Sequence, residues 1–342
     1  MDRFLITACL VLIGLLGPIS MTARAQPQAA PVVAAIPDAE IPIRRKLFDT
    51  IKASVDARDF DTLSAMEERF RLTRSRTPSG VWELDLFYQA LDGYLSEGLR
   101  AGQNCKAEKA NFVDQWQTEH PNNPAPVIVQ AKLLEWTAWC YRDASSLNVD
   151  WDHFYKTLTR ASTLLERHKA MASRDPEYYA VAASIYRGLG VTGEAYQAFL
   201  DEATEREPAY LRTYSSAFWS FMPQWGGSAE EMESFARYAM DKARATEGTG
   251  MYVRLLWQMD SCDCQLIQQV SRWSVLRQSM LDVYSRFPVE RNRRFFERAS
   301  CQKRQLEEAR HYVGLAHPEN DWLQNTLLTS DICEQVWKEE RE

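Results

Sequence analysis

From Ile43 onward, apolar residues recur three and four positions apart: Ile43, Leu47, Ile51 and Val55, then Leu63, Met66 and Phe70, then Leu84, Phe87, Leu91, Tyr94 and Leu95. That spacing lines one face of a 3.6-residue helix, and it repeats segment after segment. Period-two runs of β-branched residues closed by hairpin turns are missing, so a sheet would have no strands to draw on. The pattern predicts an all-α fold. Prolines punctuate it: Pro121, Pro124 and Pro126 break the chain after Trp116, and Asp175-Pro176, Glu207-Pro208 and His317-Pro318 mark restarts, because proline is tolerated in a helix's first turn. The segment between the second and third of these breaks reads as an aromatic helix, a Gly-rich turn and a second helix. It is a loose match to the roughly 34-residue tetratricopeptide hairpin. Further hairpins are expected over 43–72, 80–119, 125–173, 208–247 and 263–311. Together they predict a tetratricopeptide-like helical-hairpin array, an α-solenoid with degenerate repeats, stacked because no hairpin can bury its own apolar face.

The chain's start reads differently. Arg3 precedes an apolar run from Phe4 to Gly17, followed by Pro18 and the small-residue pattern Ala23-Arg24-Ala25. This is the layout of a secretory signal peptide over 1–25, with cleavage expected after Ala25, and the run falls short of the roughly 18–20 apolar residues a membrane span needs. Residues 26–42 carry Pro27, Pro31, Pro37 and Pro42 among alanines and read as an extended Pro/Ala-rich linker. Residues 43–342 form the helical-repeat domain, as one body or as two lobes meeting near residue 173. The expected location is periplasmic or secreted, with no membrane span left after cleavage.

Export changes the meaning of the cysteines. Cys9 leaves with the leader, and six remain: Cys105, Cys140, Cys262, Cys264, Cys301 and Cys333. An even number in an exported chain points to disulfides. Cys105 and Cys140 stand a helical hairpin apart and are the expected pair. Cys262 and Cys264 are too close to bridge each other comfortably, which leaves Cys301 and Cys333 as their partners in either of two arrangements. A four-thiolate zinc site would use the same four residues. Its paired cysteines usually stand two to four residues apart, whereas only Asp263 intervenes here, so no metal and no cofactor is expected.

Composition adds exclusions. The 342 residues hold 40 Lys plus Arg against 47 Asp plus Glu, a formal charge of -7, which argues against general nucleic-acid binding. Eleven Trp, 14 Tyr and 14 Phe call for a packed core. Gly188, Gly190 and Gly193 match the dinucleotide pattern G-x-G-x-x-G, but a helix rather than a strand precedes them, so a turn is expected. The five histidines make no H-E-x-x-H motif, and there is no G-x-S-x-G elbow. Asp150, Asp152 and His153 around Trp151 come closest to an acid–base cluster, yet at a helix start they serve as caps. The basic stretch from Arg286 to Arg304 is expected to be a helix face neutralised by acidic neighbours.

Two segments stand out as candidate sites. In RSRTPSGVWELDLFY, Arg74 and Arg76 precede an expected helix start with Thr77 as cap and Pro78 as first residue, a place where free amides and guanidinium groups could hold an anion. In FMPQWGGSAEEMESFA, Ser228 and Glu231 form a capping box, Gly226 and Gly227 shape the corner, and Trp225 packs beneath it or lines a pocket. Both segments resemble an exported bacterial family of helical-repeat proteins with no assigned activity, over about residues 43–250. The resemblance implies a tetratricopeptide-like fold and an envelope setting, and brings no catalytic residue, ligand or cofactor.

The leading expectation is an exported, non-catalytic helical-repeat protein whose concave surface binds a protein or peptide partner in the bacterial envelope. Arg74, Arg76, Trp82, Trp225, Gly226 and Gly227 are its candidate binding residues. The alternatives are a secreted hydrolase with a groove site near Trp82, Trp225 or His153, and a small-anion binder at Arg74 and Arg76.

Overall fold

The computed structural model describes residues 40–97, 99, 105, 110–142, 149–260 and 265–316. The leader, most of the linker, and Cys262, Cys264 and Cys333 lie outside the described residues. The described chain folds as fifteen α-helices: α1 (Glu40–Ala57), α2 (Phe60–Thr73), α3 (Glu83–Leu95), α4 (Ala110–Glu119), α5 (Pro124–Tyr141), α6 (Trp151–Ala172), α7 (Glu177–Gly188), α8 (Gly193–Arg206), α9 (Leu211–Phe218), α10 (Ala229–Glu247), α11 (Gly250–Asp260), α12 (Leu266–Gln269), α13 (Trp273–Arg286), α14 (Glu290–Gln302) and α15 (Leu306–Ala316). No strand occurs among the described residues, so the all-α reading holds. Helix α1 begins at Glu40, inside the stretch expected to be linker, because Glu40 is anchored by contacts described below.

Burial sorts the helices into two kinds. In α5, α7 and α11 successive residues are buried, from Val127 to Val129, Tyr178 to Ile185 and Gly250 to Leu256. Helices buried all round must sit inside the helical body. Helices α1, α6 and α10 bury a single stripe and cover the outside. Each inner helix touches the next inner one: α5 packs on α7, α7 on α9, α9 on α11 and α11 on α13, while α6 packs on both α5 and α7. The buried apolar side chains form two clusters, one built chiefly on α1–α7 and the other on α8–α15. Tyr186 and Phe199 pack against both.

Caps and turns explain the boundaries. Asn123 accepts a hydrogen bond from the Ala125 amide ahead of Pro124, and Asp150 accepts one from the His153 amide at 3.1 Å. Gly188 ends α7 and Gly193 opens α8, so the glycine pattern is a helix–helix turn. The Cys105–Cys140 disulfide is present, with the two Cα atoms 5.5 Å apart. Cys301 is fully buried on α14 and is also disulfide-bonded.

The structure departs from the sequence reading in two places. The stretch 263–311, expected as one hairpin, holds α12, α13, α14 and the start of α15 among its described residues, and α11, which the apolar spacing leaves unassigned, is among the most buried helices. The second departure is the stretch 75–82. Thr77 and Pro78 do not start a helix. The chain turns at Thr77–Gly80, where the Gly80 amide donates to the Thr77 carbonyl, and an isolated antiparallel bridge pairs Arg76 with Trp82 before α3 begins at Glu83. Gly80 takes φ +84°, a conformation other residues resist.

This turn docks against residues far along the chain. The buried Glu40 carboxylate accepts from the Thr77 hydroxyl and the Ser79 amide. The Ser79 carbonyl accepts from Arg254 at 2.9 Å and Asn292 at 3.2 Å, and Arg76 pairs with the buried carboxylate of Glu247. One turn later, Arg212 at the start of α9 holds Glu177 at 2.6 Å, Asp92 at 2.8 Å and Asp85 at 3.5 Å, while the Tyr88 hydroxyl donates to Asp175 at 2.6 Å. Residues 75–92 therefore tie α1 to the starts of α7 and α9, to α11 and to α14. A stack whose hairpins meet only their neighbours has no such cross-tie.

Candidate functional site

The first candidate segment is occupied with holding the fold. Arg76 lies against Glu247 and over the Trp82 ring at 5.1 Å, and Trp82 meets Tyr210 edge-on at 5.6 Å. The space enclosed by Arg76, Trp82, Tyr210, Glu247 and Arg254 amounts to about 20 Å³, room for one water and no more. Arg74 lies outside it, paired with Glu207 at 2.8 Å on the rim of a depression of about 360 Å³ that Arg71, Arg174 and Arg206 also line. Arg71 is paired in turn with Glu67 at 2.6 Å, and Arg206 lies 3.6 Å from Glu202. The helix-start amides expected beside Arg74 and Arg76 are absent, because the segment is a turn. Both arginines already have carboxylate partners.

The carboxyl groups beneath this segment are perturbed. Burial pushes the Glu177 carboxyl up to about 7, against the pull of Arg212 and with the help of Asp92. Asp85 is raised by burial, again opposed by Arg212. Burial also raises Asp175 well above the ordinary carboxylate range, and the adjacent Glu67 adds to the shift. Arg212 is the one guanidinium that Glu177, Asp92 and Asp85 share as an ion-pair partner among the described residues. Asp85, Asp175 and Glu177 are all buried, Asp85 beside the space of about 20 Å³, and their partners Arg212, Tyr88 and Tyr210 join α3, α7 and α9.

The second candidate segment leads to a different surface. Pro223–Trp225 form a 3₁₀ turn that Gly226 closes at φ +87°, and Gly227 lies so close to the Phe221 carbonyl that a Cβ would collide with it. Ser228 caps α10 by accepting from the Glu231 amide. Trp225 is half-buried rather than sealed beneath the corner, and meets Trp139 at the end of α5 edge-on, with ring centroids 5.6 Å apart. Two guanidinium groups lie over this indole pair. Arg142 is 4.7 Å from the Trp225 centroid and 5.3 Å from that of Trp139, and Arg187 is 5.5 Å and 5.4 Å away. Such contacts contribute roughly 0.5–2 kcal/mol each, depending on desolvation.

Charge in this cluster is unbalanced. Arg142, on half-buried ground, has no carboxylate partner among the described residues. Arg187 bonds the Ser216 carbonyl and the Ser184 hydroxyl, which donates in turn to Glu135 at 2.6 Å. Burial holds the Arg187 guanidinium below its ordinary range. Glu135 works against that shift and Arg142 adds to it. Two donors of the cluster, Arg187 Nε and Trp139 Nε1, are buried with no acceptor among the described residues.

Aromatic surface continues outward from Arg142. The guanidinium lies 5.9 Å from the Trp151 ring, and Trp151 stacks on Tyr155 one helical turn further along α6. These two side chains are 48% and 47% exposed. His153 bonds Asp150 at 2.7 Å through Nδ1 and stacks on Tyr141, but no hydroxyl or thiol bonds its other nitrogen among the described residues. The pair is a helix cap without a nucleophile. Sequence reasoning finds Trp225 and weighs Trp151 only as context; Trp139, Arg142, Tyr155 and Arg187 escape it. Their common signal is that α5, α6 and α7 each carry an aromatic or arginine residue near an end, and only the packing shows that those ends meet.

Three basic residues of the Arg286–Arg304 stretch are held by local bonds. Arg293 holds Glu290 and Glu297, Arg294 also reaches Glu290, and Lys303 donates to the carbonyls of Gln268 and Ser271. Among the described residues, no helix is long and apolar enough to cross a membrane, and no group of three His, Cys, Asp or Glu is arranged to hold a metal ion. No family model, no curated protein and no solved structure matches this chain.

Proposed function

We propose that this protein is an exported, non-catalytic binding scaffold, a tetratricopeptide-like helical array that docks a protein or peptide partner in the bacterial envelope on the face formed by Trp139, Arg142, Trp151, Tyr155, Arg187 and Trp225. The observation that carries the reading is the exposed Trp151–Tyr155 stack beside an arginine with no carboxylate partner among the described residues. Tryptophan, tyrosine and arginine dominate binding hot spots because they bring large area and directed polar groups at little entropic cost. The succession of inner helices, each packed on the next, supports the array, to which residues 75–92 add a cross-tie from α1 to α7, α9, α11 and α14. The Cys105–Cys140 disulfide and the leader-like start of the sequence support an oxidising compartment.

Site-specific photo-cross-linking in cells that export the protein tests this reading. A photoreactive side chain at position 155 is expected to give a discrete adduct. The same group at position 72, where Leu72 is exposed on another surface, is expected to give none. Equal labelling at both positions, or no adduct at either, would remove the support for a docking face at α5–α7.

A further inference from the structure

We infer that the Trp139–Arg142–Arg187–Trp225 cluster recognises a carboxylate, the side chain of an internal aspartate or glutamate flanked by apolar residues in the partner. The inference rests on the partner-binding reading and narrows it to one chemistry. Arg142 and Arg187 lie over the same two indole rings, each sensing the other's positive charge, and neither has an ion-pair partner among the described residues. Elsewhere on this protein the half-buried arginines of α2, the 75–82 turn and α9 are matched to carboxylates. Arg187 Nε and Trp139 Nε1 are buried without an acceptor, as are Trp82 Nε1 and Arg254 Nε at the 75–82 turn; what sets this cluster apart is that the half-buried Arg142 beside them has no carboxylate partner among the described residues. A planar carboxylate suits a guanidinium fork better than any neutral acceptor and would cancel the like-charge repulsion. The flanking residues follow from the walls. Trp151 and Tyr155 extend the aromatic surface beyond Arg142, so a chain that places its acid on Arg142 has apolar ground on which to continue.

Three synthetic peptides decide the matter on the unmodified protein, followed through the indole N–H resonance of Trp139 in a ¹⁵N-tryptophan-labelled sample. Acetyl-Ala-Phe-Glu-Phe-Ala-amide is expected to shift that resonance saturably. The Gln counterpart with an amidated end is expected to bind at least ten-fold more weakly, and the Gln peptide with a free C-terminal carboxylate no better than that. Equal binding of the Glu and Gln amides, or no binding of either, would overturn the inference, as would preference for the free C-terminus. Arg142→Gln should lose the Glu preference, and Arg142→Glu should reverse it toward a Lys peptide. A photo-adduct at position 155 that survives Arg142→Gln undiminished would leave the docking face standing while sinking carboxylate recognition.

Discussion

Adding one methyl group at Gly80 tests whether residues 75–82 are the cross-tie of the fold. An alanine there meets two costs. At φ +84° an L side chain is strained by roughly 1–2 kcal/mol. The new Cβ would also lie 2.7–2.8 Å from the Phe287 ring and closer still to the Arg254 guanidinium, both held in place by packing and by the Ser79 carbonyl. Overpacking of that kind costs typically 1–3 kcal/mol, so the sum is about 2–5 kcal/mol. Gly190 supplies the control. It has φ +73° and open space on every side, with nothing within 4 Å of where an alanine methyl would sit, so Gly190→Ala should cost only the strain, roughly 1–2 kcal/mol. Urea unfolding of both variants, followed by far-UV circular dichroism, compares them directly. If the two substitutions destabilise to within about 0.5 kcal/mol of each other, the turn is not wedged against α11 and the α13–α14 corner, and the cross-tie reasoning fails.

Two further outcomes follow from the same contacts. The Glu177 carboxyl is ordinary in the unfolded chain and pushed up to about 7 in the fold, so its contribution to stability is complete below the unfolded value and disappears as pH rises through 7. The urea midpoint should fall between pH 5 and pH 8, with Glu177 responsible for on the order of 3 kcal/mol, and Glu177→Gln should flatten that fall; a midpoint that climbs over this range would contradict the assignment. The Cys105–Cys140 bridge spans a separation of 35 residues, for which chain entropy assigns roughly 4 kcal/mol, so the double Cys→Ser variant should melt well below the native protein, and an unchanged melting temperature would refute it.

Much of the helical layout is legible because it is local. Three-and-four spacing, the Asp175-Pro176 and Glu207-Pro208 breaks, the Ser228 cap and the hairpin spacing of Cys105 and Cys140 all act within a few turns of chain. The Thr77-Pro78 stretch misleads for the opposite reason. It has the composition of a helix start, but its conformation is decided by Glu40, Arg254 and Asn292, the last two 175 and 213 residues away from Ser79. Arg76 looks free for a ligand because Glu247 lies 171 residues along the chain. Trp225 is expected from its size chiefly to be buried. It is half-buried, with the guanidinium groups of Arg142 and Arg187 lying over its ring. Helix α11 is missed although it is buried from Gly250 to Leu256, with the Arg254 guanidinium among the buried groups, so its inner position is set by packing rather than by a simple apolar stripe.

Hydroxyl-radical footprinting tests the proposed docking face most directly, comparing the protein in intact envelope preparations of cells that express it with the same protein purified. Oxidation of Trp151 and Tyr155 should slow several-fold in the envelope while that of Leu72 stays unchanged. Equal rates at Trp151 and Tyr155 in both settings would contradict the account.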